Sequence, residues 1–74
     1  MKSLRPLKLR KVISALNKLG FEKKSQKGSH AKFFHPDGRS TVVPIHFGEL
    51  IGRGLLRKII SECKISKDEF LKLV

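Results

Sequence analysis

Residues 26–43 read Gln-Lys-Gly-Ser-His-Ala-Lys-Phe-Phe-His-Pro-Asp-Gly-Arg-Ser-Thr-Val-Val, and two turns within that stretch decide the fold. The first is Gly28-Ser29, where a residue without Cβ lets the chain reverse tightly. The second is Pro36-Asp37-Gly38, in which proline presets its dihedral and glycine accepts positive φ. Between them His30 to His35 alternates as a strand, with Ala31, Phe33 and His35 to one side and His30, Lys32 and Phe34 to the other. Ser40 to Val43 is a β-branched third strand. Glu22 to Lys27 is a polar first strand leading into the Gly28-Ser29 turn, so the centre of the chain is a three-stranded antiparallel meander.

Helices flank the meander. Leu9, Val12, Ile13, Leu16 and Leu19 recur at helical spacing, which predicts a helix over Leu7 to Leu19 with Gly20 as its left-handed terminator. Lys8, Lys11 and Lys18 lie on the opposite side, as a solvated face or a path for phosphates. Phe21 anchors the following chain to the core. Beyond the meander, Pro44 closes the third strand, Ile45 to Arg53 reads as a loop, and Gly54 serves as helix N-cap. Leu55, Leu56, Ile59, Ile60 and Cys63 then form a second apolar stripe. Ser66 with Glu69 is a capping-box pattern opening a short helix whose Phe70, Leu71 and Val74 cover the core edge. The order α-β-β-β-α, with both helices burying against one sheet face, is the two-layer α+β arrangement of double-stranded-RNA-binding domains.

The 74 residues suit one domain, 1–74, with a thin core. Seventeen Lys and Arg face six Asp and Glu, a formal net charge of +11. The excess is uneven: residues 1–48 carry 11 basic and 2 acidic groups, and residues 49–74 carry 6 and 4. Such a field favours phosphate-rich or otherwise acidic partners without choosing among them. Cys63 alone permits no internal disulfide, which suits a reducing cytoplasm, and its place on the apolar stripe makes it a small buried hydrophobe. Met1 to Pro6 lacks the apolar run of a secretory signal, and no stretch approaches the ~20 apolar residues of a membrane span. The chain reads as soluble.

Histidine is the side chain whose unperturbed pKa allows proton transfer near neutrality, and His30 follows the glycine turn directly. On spacing alone a histidine after Gly-Ser is an ordinary surface residue. His46, after Pro44-Ile45, either donates a second proton or fixes its loop; His35, beside the second turn, is expected to face solvent. Phe33 and Phe34 read as core rather than as a stacking platform for bases. No Cys and His spacing suggests zinc and no carboxylate pair suggests magnesium, so neither a metal nor another cofactor is expected.

Five segments in order make the chain similar to the HicA toxin family over nearly its whole length. They are Gly20-Phe21, Gln26-Lys27-Gly28-Ser29-His30, Val43-Pro44-Ile45-His46, Gly54-Leu55-Leu56-Arg57 and Glu69-Phe70. The resemblance implies a ribonuclease that cuts messenger RNA, halts growth and is neutralised by a cognate HicB antitoxin covering its site. The family's catalytic histidine falls on His30. Metal-independent cleavage would have His30 act as general base at a 2′-hydroxyl or as general acid at the departing oxygen. Gly28 would allow a phosphate close to main-chain N–H groups, Ser29 would add a hydroxyl, and Lys32 and then Lys27 would stabilise charge on phosphorus. One departure from double-stranded-RNA-binding domains is the start of the second helix, Gly54-Leu55-Leu56-Arg57-Lys58, where a lysine-rich grip is usual. A non-catalytic RNA-binding module and a basic protein-interaction module are the alternatives.

Overall fold

The first helix ends where Gly20 adopts φ +100°, and this geometry settles how the chain enters the sheet. The Gly20 N–H donates to Asn17 O at 3.0 Å and the Phe21 N–H to Leu16 O at 2.9 Å. This pair of bonds is a Schellman closure, and Leu16 and Phe21, both buried, supply its hydrophobic contact. A computed structural model describes residues 3–46 and 48–74. In chain order its elements are β1 (Leu7–Lys8), α1 (Leu9–Leu19), β2 (Glu22–Lys27), β3 (His30–Phe34), β4 (Ser40–Pro44), β5 (Leu50–Ile51), α2 (Arg53–Cys63) and α3 (Lys67–Leu71).

The fold is α+β, and the α-β-β-β-α arrangement holds. β2, β3 and β4 form an antiparallel sheet in that order. Ala31 and Phe33 of β3, with Thr41 and Val43 of β4, are buried beneath Leu9, Val12, Ala15 and Leu16 of α1 and Leu56, Ile59, Ile60 and Cys63 of α2. The strand period of two is therefore obeyed: one face is core, and His30 and Lys32 stand exposed on the other. Thr41 is the one buried polar residue of that core among the described residues, and its hydroxyl donates to Glu62 Oε1 of α2 at 2.8 Å, tying sheet to helix.

Several expectations are corrected. Leu7 and Lys8 belong to β1, which pairs antiparallel with β5, so α1 begins at Leu9 and part of the expected Ile45 to Arg53 loop is strand. That pairing delivers Ile51 to the core, and the chain must turn into α2 at once. Gly52, not Gly54, is accordingly the N-cap, with its carbonyl accepting from the Leu56 N–H at 2.9 Å. Ala15 is fully buried, whereas Ile13 and Leu19 of the expected stripe are only half-buried, so the buried side of α1 runs through Leu9, Val12, Ala15 and Leu16. Pro44 ends β4 rather than following it, and β3 stops at Phe34. The capping box on α3 is present in both directions, Glu69 N–H to Ser66 Oγ at 3.1 Å and Ser66 N–H to Glu69 Oε1 at 3.2 Å. Phe70 is buried as expected, but Val74 is exposed. Leu73 packs on the core instead, since the chain bends after α3 through a Leu73 N–H bond to Phe70 O.

Two helix ends give opposite forecasts. A Cβ on Gly20 would sit 2.9 Å from His35 Nε2 while also holding the left-handed φ. Gly20→Ala is therefore expected to destabilise the fold by about 2 kcal/mol, read from urea unfolding midpoints. Lys64, at φ 57° the one non-glycine residue with positive φ among the described residues, terminates α2. It is exposed, so Lys64→Gly should raise stability by about 0.5–1 kcal/mol in the same assay.

Candidate active site

Gly28 and Ser29 form a two-residue hairpin loop, closed by Lys27 paired with His30. Gly28 has φ +59°, and Ser29 has no positive φ, the glycine-first pattern of a type II′ turn. Both carbonyls of the loop are engaged: Gln26 Nε2 donates to Gly28 O at 3.1 Å, and the Ile45 N–H donates to Ser29 O. The tip is thus braced from its own strand and from the end of β4. No atom lies within 4 Å of the position a Gly28 Cβ would take, so the outer side of the turn is open.

His30 sits on the central strand, opposite Lys27 of β2 and Pro44 of β4. Lys32 shares its face, flanked by Ser25 and Val42, and Phe34 follows. Helices cover only the reverse side, so this face is bare: His30, Lys27 and Lys32 are exposed, and Phe34, Val42 and Pro44 are half-buried. Lys32 Nζ lies over the Phe34 ring at 5.1 Å from its centroid. That contact engages the ammonium at the Phe34 end of the strand, whereas Lys27 is the residue paired with His30 in the ladder. Ser29 is half-buried at the tip, within the same turn. Five of the expected site residues, Lys27, Gly28, Ser29, His30 and Lys32, are therefore brought together on one hairpin.

His46 is not joined to them by any hydrogen bond among the described residues. It lies exposed past β4, and its engaged group is the backbone carbonyl, which accepts from the Glu49 N–H at 3.1 Å. That bond is made by the main chain, and the imidazole itself makes no hydrogen bond to the loop among the described residues. Among the described residues no three His, Cys, Asp or Glu side chains converge as a metal ligand set. Burial pushes the Cys63 thiol up to about 11 against the opposing Arg39 charge, with the Glu62 charge adding a smaller rise, so the group is protonated at neutral pH.

His35 departs most from expectation. It is half-buried rather than solvent-facing, and its ring packs edge-on against Phe21 with centroids 5.2 Å apart. Nε2 lies 3.1 Å from Leu19 O, and because a carbonyl only accepts, Nε2 must carry hydrogen. Nδ1 faces both the Asp37 N–H at 3.1 Å and Asp37 Oδ1 at 2.9 Å, and so has a partner in either protonation state. Arg39, across the turn, donates through Nε to Asp37 Oδ2 at 2.8 Å and through Nη1 to Cys63 O, with its guanidinium over Phe21. The cluster is a fastening between turn and helices. Its only sequence signal was the placement of His35 and Arg39 on either side of Pro36-Asp37-Gly38.

The chain is thus a small basic α+β domain with an exposed histidine at a braced glycine turn, on a sheet face left open. The family model described as HicA toxin of bacterial toxin-antitoxin matches residues 9–65, most of the 74-residue chain. The chain belongs to the HicA toxin family. No curated protein matches it.

Asp37 supplies a pH forecast. The Arg39 backbone N–H bonded to it, joined by the Arg39 guanidinium, holds its carboxyl below the ordinary value of 3.8. The folded chain then keeps the carboxylate charged where the unfolded chain has bound a proton. That contribution to stability is complete above pH 3.8 and is lost as pH falls through the lower folded value. Asp37→Asn should lower stability at neutral pH and give a shallower decline on acidification, measured by urea unfolding at a series of pH values.

Proposed function

We propose that this protein is an endoribonuclease toxin that cleaves messenger RNA without a metal ion, through His30, and is held inactive by a HicB-type antitoxin. The observation that carries the reading is an exposed imidazole on a rigid hairpin tip within an open, cationic sheet face, in a chain of the HicA toxin family. Its lone buried cysteine, and the lack among the described residues of any helix long and apolar enough to cross a membrane, suit action in the cytoplasm as one domain.

The chemistry is a transesterification. His30 removes the proton from a ribose 2′-hydroxyl, and that oxygen attacks the adjacent phosphorus. The bond from phosphorus to the 5′-oxygen of the next nucleotide breaks, leaving a 2′,3′-cyclic phosphate, and the departing oxygen takes up a proton from water or from His46. Charge accumulates on the phosphoryl oxygens as this happens. Lys27, across the ladder from His30, is placed to stabilise it, and Lys32 can join by leaving the Phe34 ring, a contact worth only about 0.5–1 kcal/mol at an exposed site. The unencumbered outer side of Gly28 lets a phosphate approach main-chain N–H groups, with the Ser29 hydroxyl beside them.

Purified protein freed of antitoxin should cut single-stranded messenger RNA in excess chelator and leave 2′,3′-cyclic phosphate ends. His30→Ala should lower the rate by roughly 100-fold or more, with an unchanged circular dichroism spectrum. Loss of cleavage in chelator with recovery on adding a divalent ion would refute the metal-independent step. Full growth arrest by His30→Ala would favour the non-catalytic RNA-binding alternative instead.

A further inference from the structure

The hairpin that carries His30 has a second side. Between α1 and the core-facing side of β2 and β3 runs a groove of about 340 Å³, bordered by Ile13, Asn17, Lys23, Gln26, Phe33 and Ile45. This volume lies at the small end of ligand sites, which hold roughly 300–1,000 Å³. Its surface is divided by chemistry. Phe33 is almost fully buried, and Ile13 and Ile45 are half-buried, so these three make apolar walls. Asn17, Gln26 and Lys23 are exposed and carry two amides and an ammonium.

Such a slot fits a flat heteroaromatic ring whose faces are apolar and whose edge forms hydrogen bonds. Asn and Gln amides are the side chains that present a donor and an acceptor side by side to a base edge. The Gln26 amide is already oriented, since Lys23 Nζ donates to its Oε1 at 3.0 Å and its Nε2 donates to Gly28 O at 3.1 Å. One N–H and further acceptor capacity on that amide remain for a ligand.

The groove and His30 are one ladder position apart. Gln26 pairs with Ala31, while Lys27 pairs with His30, so the two sites flank the same turn from opposite faces. Lys23, opposite Phe33, and Lys27, opposite His30, place cations on both faces of β2. At the tip, Gly28 offers no side chain to block a strand crossing from one face to the other.

We propose that this groove holds one unpaired nucleobase of the RNA strand whose backbone crosses Gly28 to reach His30, making it the subsite that selects the nucleotide near the cut. The proposal rests on the RNA-cleaving reading above. Charge complementarity favours this occupant over an apolar side chain of a protein partner, since the net charge is +11 and the rim carries Lys23 with no carboxylate among its lining residues.

The test uses full-length His30→Ala protein, so that RNA survives, titrated with the four homopolymeric single-stranded RNA hexamers and followed by amide chemical shifts. Shifts should gather at Asn17, Lys23, Gln26 and Ile45, with one base preferred. Asn17→Ala and Gln26→Ala, both at exposed positions, should weaken that hexamer about tenfold and the other three much less. In His30-intact protein the same substitutions should broaden the nucleotide found beside the cut. Shifts confined to Lys27 and Lys32, affinities unmoved by both substitutions, or loss of antitoxin binding with RNA binding intact would each overturn the proposal. Groove shifts with one base preferred, in a protein whose wild type fails to cut RNA, would uphold the base site and reject the nuclease reading.

Discussion

The fastening of one turn to both helix ends is the constraint on which the rest of this structure depends. A helix leaves its last carbonyls without intrahelical partners, and in so small a domain two such ends come close together. Here Leu19 O accepts from His35 and Cys63 O accepts from Arg39, and the two donors stand on either side of Pro36-Asp37-Gly38. Asp37 engages both donors, its backbone N–H donating to His35 Nδ1 and its carboxylate accepting from Arg39 Nε, so they are positioned by a single residue. The Phe21 ring lies between His35 and Arg39 and is itself fixed by the Schellman closure at Gly20. Moving any one of these groups would shift the angle at which α1 and α2 meet the reverse side of the sheet that presents His30.

Much of this fold was legible because local signals agreed. The stripe in α1, the alternation through Ala31 and Phe33, two glycine turns and the Ser66-Glu69 box each specify the element they produce. The β1–β5 pair was not legible, because Leu7-Lys8 and Leu50-Ile51 are too short to show a period and acquire strand geometry only by meeting each other. The cap at Gly52 was hidden for a related reason: two glycines flank Arg53, and the one that caps is chosen by where β5 ends. His35 was misjudged because a polar residue beside a turn carries no local mark of burial. Its ring is enclosed by Gly20 and Phe21, about fifteen residues away in sequence, and only the packing of the hairpin on α1 supplies them.

The candidate site was legible in a different way. Alternation alone puts His30, Lys32 and Phe34 on one face, and the Gly28-Ser29 loop fixes Lys27 across from His30, since a two-residue turn leaves one register available. What strand alternation could not show is how the long side chains lie. Lys32 rests on Phe34, while Lys27 is the lysine paired with His30 in the ladder. The groove on the other face was hidden altogether, because Asn17 and Gln26 come from different elements and neither is unusual where it stands in the sequence.

Stability and site occupy opposite sides of one sheet. The core lies on the helix side of β3 and β4, where Leu4 and the β5 residue Ile51 join it, and the charged residues that face away from it stay exposed. Burying a lysine or an ionised histidine would cost several kcal/mol without a partner, so a core this thin could not hold the candidate groups inside. Leaving the face open removes that cost. It also leaves Phe34, Val42 and Pro44 only half-covered, a modest apolar strip among exposed cationic side chains. An acidic partner with a small apolar contact is the complement to that surface, because Pro44 is paired with His30 and Val42 with Lys32, so apolar and basic groups alternate across the two strands. A sheet with helices on one side alone can keep such a face uncovered at no cost to the core.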